Sequence, residues 1–251
     1  MTQYGFFIDT SRCTGCQACA IACKEWHDIT PGPVKWLRVF QWEKGSFPSL
    51  RLNVLPVMCF HCENPVCTKA CPNRAIYKEE KYGAVLVSPE KCTGQRKCWT
   101  ACPYGVPQFE GDARGFKMSK CNMCIDRLEQ GDKPICVLSC SLRALEFGPL
   151  EELQEKYGTL DRLEDMPSGS ITGPAVIFKP ADPKREIVPY DANKALRLWQ
   201  KRHPDGNLTL PDVFTDLSDI TGPSDDVVAR NRLVLKPENT AEHDYYTMDD
   251  E

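Results

Sequence analysis

Apolar positions along this chain come in short runs, not in long periodic stretches. Tyr4 to Asp9 and Ala84 to Val87 are β-prone runs that each lead into a cysteine loop. Ala75 to Tyr77 and Ala144 to Phe147 are similar runs placed just after a cysteine. Between them, Thr14 to Lys24 and Lys97 to Ala101 are long enough for one or two helical turns. The stretch GPLEELQEKYGTL predicts a short amphipathic helix starting near Gly148 and Pro149. No run approaches the roughly 18 apolar residues of a membrane-crossing helix. The pattern predicts an α+β fold assembled from small pieces.

Beyond that helix the pattern changes. The chain turns rich in Pro, Gly and Asp, and from Asp205 onward it carries twelve acidic residues against three basic ones. Such a segment cannot build a core by itself. Residues 151–251 are therefore expected to form an extended, Cys-free C-terminal arm that orders by wrapping another subunit. Val213 to Phe214, Leu217, Ile220, Leu233 to Leu235 and Tyr245 to Tyr246 are spaced like anchors along it. A net charge of −4 gives no basic surface for nucleic acid. The opening MTQYGFFIDTSR has neither the basic nor the apolar region of a secretory leader.

Fifteen cysteines carry the chemistry, all between Cys13 and Cys140. They fall into four groups: Cys13, Cys16, Cys19 and Cys23; Cys59, Cys62, Cys67 and Cys71; Cys92, Cys98 and Cys102; Cys121, Cys124, Cys136 and Cys140. The first has the spacing C-x2-C-x2-C-x3-C, in which three thiolates reach three corners of a cubane and the fourth reaches away to another cluster. A zinc site needs only four ligands and would leave the third cysteine of each loop surplus. Iron-sulfur chemistry is the reading the spacing favours.

Internal repeats sharpen it. CTGCQACAIAC (13–23) aligns without a gap on CTGQRKCWTAC (92–102), and PVCTKACPNRAI (65–76) aligns on PICVLSCSLRAL (134–145). The half-motifs are nested, so outer groups pair with outer and inner with inner. Two ferredoxin-like lobes with four cluster positions are expected: an outer lobe from 1–30 and 115–150, and an inner lobe from 50–112. Exchange of the last ligand then assigns Cys13, Cys16, Cys19 and Cys140 to one 4Fe-4S cluster and Cys23, Cys121, Cys124 and Cys136 to a second. Cys59, Cys62, Cys67 and Cys102 would hold a third. The fourth keeps only Cys71, Cys92 and Cys98, because Gln95 stands opposite Cys16 in the repeat. Three thiolates satisfy three irons, and a neutral carboxamide is a poor fourth ligand. A 3Fe-4S cluster is the favoured reading there; a 4Fe-4S cluster with a non-cysteine ligand and an empty site are the other two. With so little apolar surface in each lobe, cluster assembly is expected to supply much of the folding free energy.

YGFFIDTSRCTGCQACAIACK, CFHCENPVCTKACPNRAI, CPYGVPQF, SKCNMCIDRLEQGDKPICVLSC and RALEFGPLEEL together closely resemble the iron-sulfur electron-transfer subunits of the dimethyl sulfoxide reductase family, over about residues 4–180. The resemblance implies a non-catalytic subunit that relays single electrons between a large molybdopterin (molybdenum or tungsten) catalytic subunit and a membrane subunit that exchanges electrons with quinone. It implies that the Cys13 cluster faces the catalytic subunit, followed by the Cys23 cluster, the Cys102 cluster and finally the site at Gln95. Relatives usually have cysteine at that position, and nitrate-reductase-type subunits have tryptophan there with a 3Fe-4S centre. The substrate is not implied, since formate dehydrogenases and polysulfide, arsenate or tetrathionate reductases use similar subunits. A subunit of a membrane-associated complex is expected, in the cytoplasm or co-exported with its catalytic partner. The alternative is a free-standing polyferredoxin.

Other residues are read more plainly. Arg96 and Lys97 are expected to be an ordinary solvated pair. His61 adjoins a complete ligand set and is expected to pack near it. Trp99 and Tyr104 default to core packing. His27, His203 and His243 show no ligand spacing.

Overall fold

The computed structural model describes residues 2–45, 50–113, 115–181 and 232–236. Its elements in chain order are β1 (Tyr4–Asp9), α1 (Ala18–Trp26), β2 (Arg38–Lys44), β3 (Arg51–Val57), α2 (Val66–Ala70), β4 (Ile76–Lys78), β5 (Val85–Val87), α3 (Lys97–Ala101), α4 (Ile125–Leu128), α5 (Ile135–Leu138), β6 (Leu145–Pro149), α6 (Leu150–Tyr157) and β7 (Val176–Lys179). The four short apolar runs read from the sequence are β1, β4, β5 and β6, with ends displaced by at most two residues.

β1 is buried along nearly its whole length because it is the centre of a three-stranded sheet. It pairs antiparallel with β6, Phe6 opposite Phe147, and parallel with β7, Phe7 opposite Ile177. Alternation sends its side chains to two places. Phe6 and Ile8 enter the main core, while Phe7 packs with Leu150, Leu153 and Ile177 under α6. The Phe7 and Tyr157 rings stack at 3.7 Å. Residues 151–179, expected as the start of the arm, thus belong to this body, β7 joining the sheet and α6 packing on it.

The antiparallel hairpin β2–β3 has no counterpart in the expected elements. It sets Phe40 opposite Leu55 and buries Val39, Phe40, Trp42, Val54, Leu55 and Val57. Its runs of β-branched and aromatic residues were the available signal.

This hairpin changes the energetics expected of the lobes. One core runs through Phe6 and Phe147 of the outer lobe, the hairpin, and Phe60 and Tyr104 of the inner lobe. Phe60 meets Tyr104 edge-on at 4.9 Å and Phe178 at 5.9 Å. Tyr4 N–H donates to Tyr82 O at 2.9 Å, joining the lobes through backbone as well. Much of 50–112 therefore shares its core with the rest of the described residues, while Ile76, Val85 and Cys98 form a smaller cluster of their own with Met118. The nesting is visible in the helices: α1 packs on α5, and α2 on α3.

Part of the C-terminal stretch returns to this body. Leu235 is buried in the main core, and Lys236 Nζ donates to Thr100 O at 3.1 Å while lying 4.6 Å over the Trp99 ring. A Cβ at Gly105 would meet Leu235 O at 2.5 Å, so the close approach needs glycine there. The other expected anchors, Val213 to Phe214, Leu217, Ile220 and Tyr245 to Tyr246, lie outside the described residues, as do His203 and His243. No helix among the described residues is long and apolar enough to cross a membrane.

Candidate metal-cluster centres

The cysteine loops repeat at the level of backbone angles. In CTGCQAC and CTGQRKC, Gly15 and Gly94 take φ of 75° and 71°, and Gln17 and Arg96 take 58° and 60°. At Gly94 a Cβ would lie 2.5 Å from Phe116 O, so glycine serves both the left-handed turn and the close approach. In the other repeat Arg74 and Arg143 take φ of 47° and 52°. This turn aims Ala75 N–H at Cys71 Sγ (3.3 Å) and Ala144 N–H at Cys140 Sγ (3.1 Å). Met118 N–H and Met123 N–H point likewise at Cys92 Sγ (3.3 Å) and Cys121 Sγ (3.4 Å).

All fifteen cysteines are free thiols. Cys13, Cys16, Cys19 and Cys140 line one hollow, and Cys59, Cys62, Cys67 and Cys102 line another. Cys71, Cys92 and Cys98 line a third, with Gln95 on its wall. Cys23, Cys121, Cys124 and Cys136 are all buried and close enough to repel one another as thiolates. Three hollows thus each collect the thiols of one set, while the buried thiols of the remaining set also lie near Cys19 and Cys59.

Burial, with repulsion from neighbouring thiolates, pushes Cys19, Cys23, Cys62 and Cys67 up to about 12. Burial raises Cys98 to about 11 and drives Cys121 and Cys136 well above the ordinary thiol value. Left to themselves these groups stay protonated at neutral pH. Four adjacent thiolates need a positive core between them, as iron provides. Among the described residues no three His, Cys, Asp or Glu side chains are placed to hold a single metal ion. Thiols ringing a hollow suit a cluster, whose corners keep its ligands apart.

Two buried cations add to the fit. Arg38 donates to the carbonyls of Tyr104 (3.3 Å) and Gly105 (3.0 Å), and burial lowers it to about 10 while Cys102 pulls it back up. Lys120 donates to the carbonyls of Val85 and Cys121 and lines the Cys59 hollow. Among the described residues neither faces a carboxylate within ion-pair distance. A buried cation without a counter-charge is costly, and an anionic cluster in the Cys59, Cys62, Cys67 and Cys102 hollow answers both.

At the three-cysteine hollow, Gln95 Nε2 donates to Thr93 Oγ1 at 3.2 Å, and Asn73 Nδ2 donates to the same oxygen at 2.9 Å. Arg96 is not half of a solvated pair. Its guanidinium lies 4.6 Å over Phe109, donates to Gly111 O and Ala113 O, and reaches Asp112 at 3.7 Å, whereas Lys97 is exposed. The left-handed turn at Arg96 directs this side chain back onto residues 109–113.

His61 is fully buried, its Nδ1 accepting from Val85 N–H at 2.9 Å, and Tyr104 packs in the core. Trp99 is half-buried beneath Lys236. His27 was missed by spacing within its own loop: its Nε2 lies 3.3 Å from Cys124 Sγ. The signal was its place four residues after Cys23 on a helix.

Known proteins agree with this geometry. Two family models, each described as a 4Fe-4S dicluster domain, match residues 50–150 and 12–76. One chain of the anaerobic dimethyl sulfoxide reductase of Escherichia coli is 44% identical over 203 residues, covering 76% of the present sequence and 97% of that protein. A subunit of the sulfite dehydrogenase of Allochromatium vinosum is 34% identical over 247 residues, covering 88% and 96%. The arsenate respiratory reductase iron-sulfur subunit of a Shewanella strain is 28% identical over 225 residues, covering 70% and 95%. With identity at this level over most of its length, this protein belongs to the family of iron-sulfur subunits of dimethyl sulfoxide reductase and related oxidoreductases.

Proposed function

We propose that this protein carries single electrons through three 4Fe-4S clusters and one 3Fe-4S cluster, between a molybdopterin catalytic subunit containing molybdenum or tungsten and a quinone-linked membrane subunit. The observation that carries this reading is the convergence of fifteen free thiols into four sets, three of four and one of three, in a chain that covers 97% of its dimethyl sulfoxide reductase relative. The clusters supply one-electron stations; the protein holds them in line, keeps water from them and sets their potentials.

Cys13, Cys16, Cys19 and Cys140 hold the station nearest the catalytic subunit. Cys16 is exposed at its rim, and Leu142, which lines the same hollow, is a large exposed apolar residue, as a partner-facing surface requires. Cys23, Cys121, Cys124 and Cys136 hold the second station, and Cys59, Cys62, Cys67 and Cys102 the third, where Arg38 and Lys120 stabilise negative charge. Cys71, Cys92 and Cys98 hold the last. Gln95 stands where a fourth thiolate would be, its amide donating to Thr93, so a fourth iron would have no thiolate and the three cysteines would hold a 3Fe-4S centre of relatively high potential. The whole complex sits at a membrane, on the cytoplasmic side or co-exported with its catalytic subunit.

Low-temperature EPR of the oxidised, anaerobically purified complex is the test. The reading expects a 3Fe-4S signal that Gln95→Cys converts to a reducible 4Fe-4S signal, and a large molybdopterin subunit that co-purifies. Absence of the three-iron signal from fully loaded protein overturns the assignment at Gln95. A fully loaded monomer with no large partner favours the polyferredoxin.

A further inference from the structure

Helix α1 carries Cys23 and ends at His27. Residues four apart lie one above the other on a helix, so His27 is delivered to the face that holds Cys23. That face meets the loop of Cys121 and Cys124, and His27 Nε2 comes 3.3 Å from Cys124 Sγ, 97 positions away in the sequence. The ring is held in place. Its backbone N–H donates to Cys23 O at 3.3 Å, and the imidazole packs at 4.8 Å on the Trp36 ring. Next to it, Trp26 pins the end of α1 to α4. Its indole donates to Asp126 Oδ2 at 2.8 Å, and the Arg127 guanidinium lies 4.4 Å over its ring.

An iron-bound cysteine sulfur carries no proton, so in the loaded protein it can only accept. The His27 contact then requires the tautomer with hydrogen on Nε2. We infer that His27 is a positioning residue acting through Cys124: it donates an N–H···S hydrogen bond to that ligand and raises the reduction potential of the one cluster held by Cys23, Cys121, Cys124 and Cys136. The inference rests on the ligand assignment proposed above. An added electron spreads negative charge onto the cluster sulfurs, so a donor aimed at one of them stabilises the reduced form more than the oxidised form.

The test is an EPR-monitored potentiometric titration of the purified complex with wild-type protein, His27→Leu and His27→Gln. Leucine fills the space without a donor, whereas a glutamine amide nitrogen reaches about as far as Nε2. One of the four midpoints is expected to move to lower potential in His27→Leu and to recover largely in His27→Gln, with the other three unmoved. A second readout is pulsed ENDOR in H2O and D2O: at that cluster the wild type should show one exchangeable proton coupling more than His27→Leu, in which the coupling from Met123 N–H to Cys121 remains. Four unmoved midpoints in His27→Leu, or four that shift together, overturn the inference, as does a wild type without the additional exchangeable coupling. The ligand assignment fails separately, by a wild-type complex that does not hold four resolved centres.

Discussion

At the residue scale, the thiols declare their chemistry by identity and spacing, but the groups that tune them do not. Arg38 and Lys120 are ordinary cations in the sequence; only burial beside thiols, with carbonyls as their partners, gives them an electrostatic role. His27 is similar, since its partner lies on another loop. Asp9, at the end of β1, shows the same dependence on context in a group that is not a thiol. Burial alone would raise its pKa, but hydrogen bonds from Ser11 and Lys179 outweigh that and hold it below the usual carboxylate value. A depressed carboxylate contributes stability that is present above its unfolded pKa, about 3.9, and is lost as pH falls through the folded value. Asp9→Asn should therefore melt below the wild type at neutral pH, with the gap narrowing once the pH is taken below about 4. Thermal midpoints measured across that range check it, and a gap independent of pH contradicts it.

At the element scale, local signals located the strands that flank the cysteines, because each is a short apolar run bounded by turn residues. The left-handed turns at Gln17, Arg96, Arg74 and Arg143 were legible only as a repeat of letters; their shared backbone angles explain why the Gln95 loop keeps its shape without a fourth thiol. The hairpin of β2 and β3 was overlooked since it carries no cysteine. The segment around Leu235 read as an anchor on another subunit, whereas Leu235 packs into this protein's own core and Lys236 onto Thr100 and Trp99. Truncating a buried leucine costs its transfer free energy and leaves a cavity. Leu235→Ala is accordingly expected to destabilise the protein by about 2–4 kcal/mol and to speed proteolysis near Trp99. Unchanged melting and cleavage would show that the contact contributes nothing.

At the scale of the whole molecule, the shared core predicts how the protein comes apart. Two lobes with separate cores would lose structure one at a time. Here Phe6, Phe40, Phe60 and Phe178 belong to one cluster of buried side chains that also includes Cys23, Cys59, Cys102, Cys121 and Cys136. Removing iron under reducing, anaerobic conditions should therefore release β1 and the β2–β3 hairpin from protection together, as hydrogen exchange can follow. Protection lost from β1 well before the β2–β3 hairpin would contradict a shared core.

The sequence by itself determined the class of chemistry, and it marks Gln95 as the position where the repeat lacks a cysteine. Thiolate spacing within a loop is a local property, and internal repetition makes the odd residue visible. The tertiary structure decided what depends on distant neighbours: the fusion of the lobes through the hairpin, the return of Leu235 to the core, and the placing of Arg38, Lys120 and His27 beside thiols. Such roles are set by burial and by contacts across tens of residues, which no local pattern records.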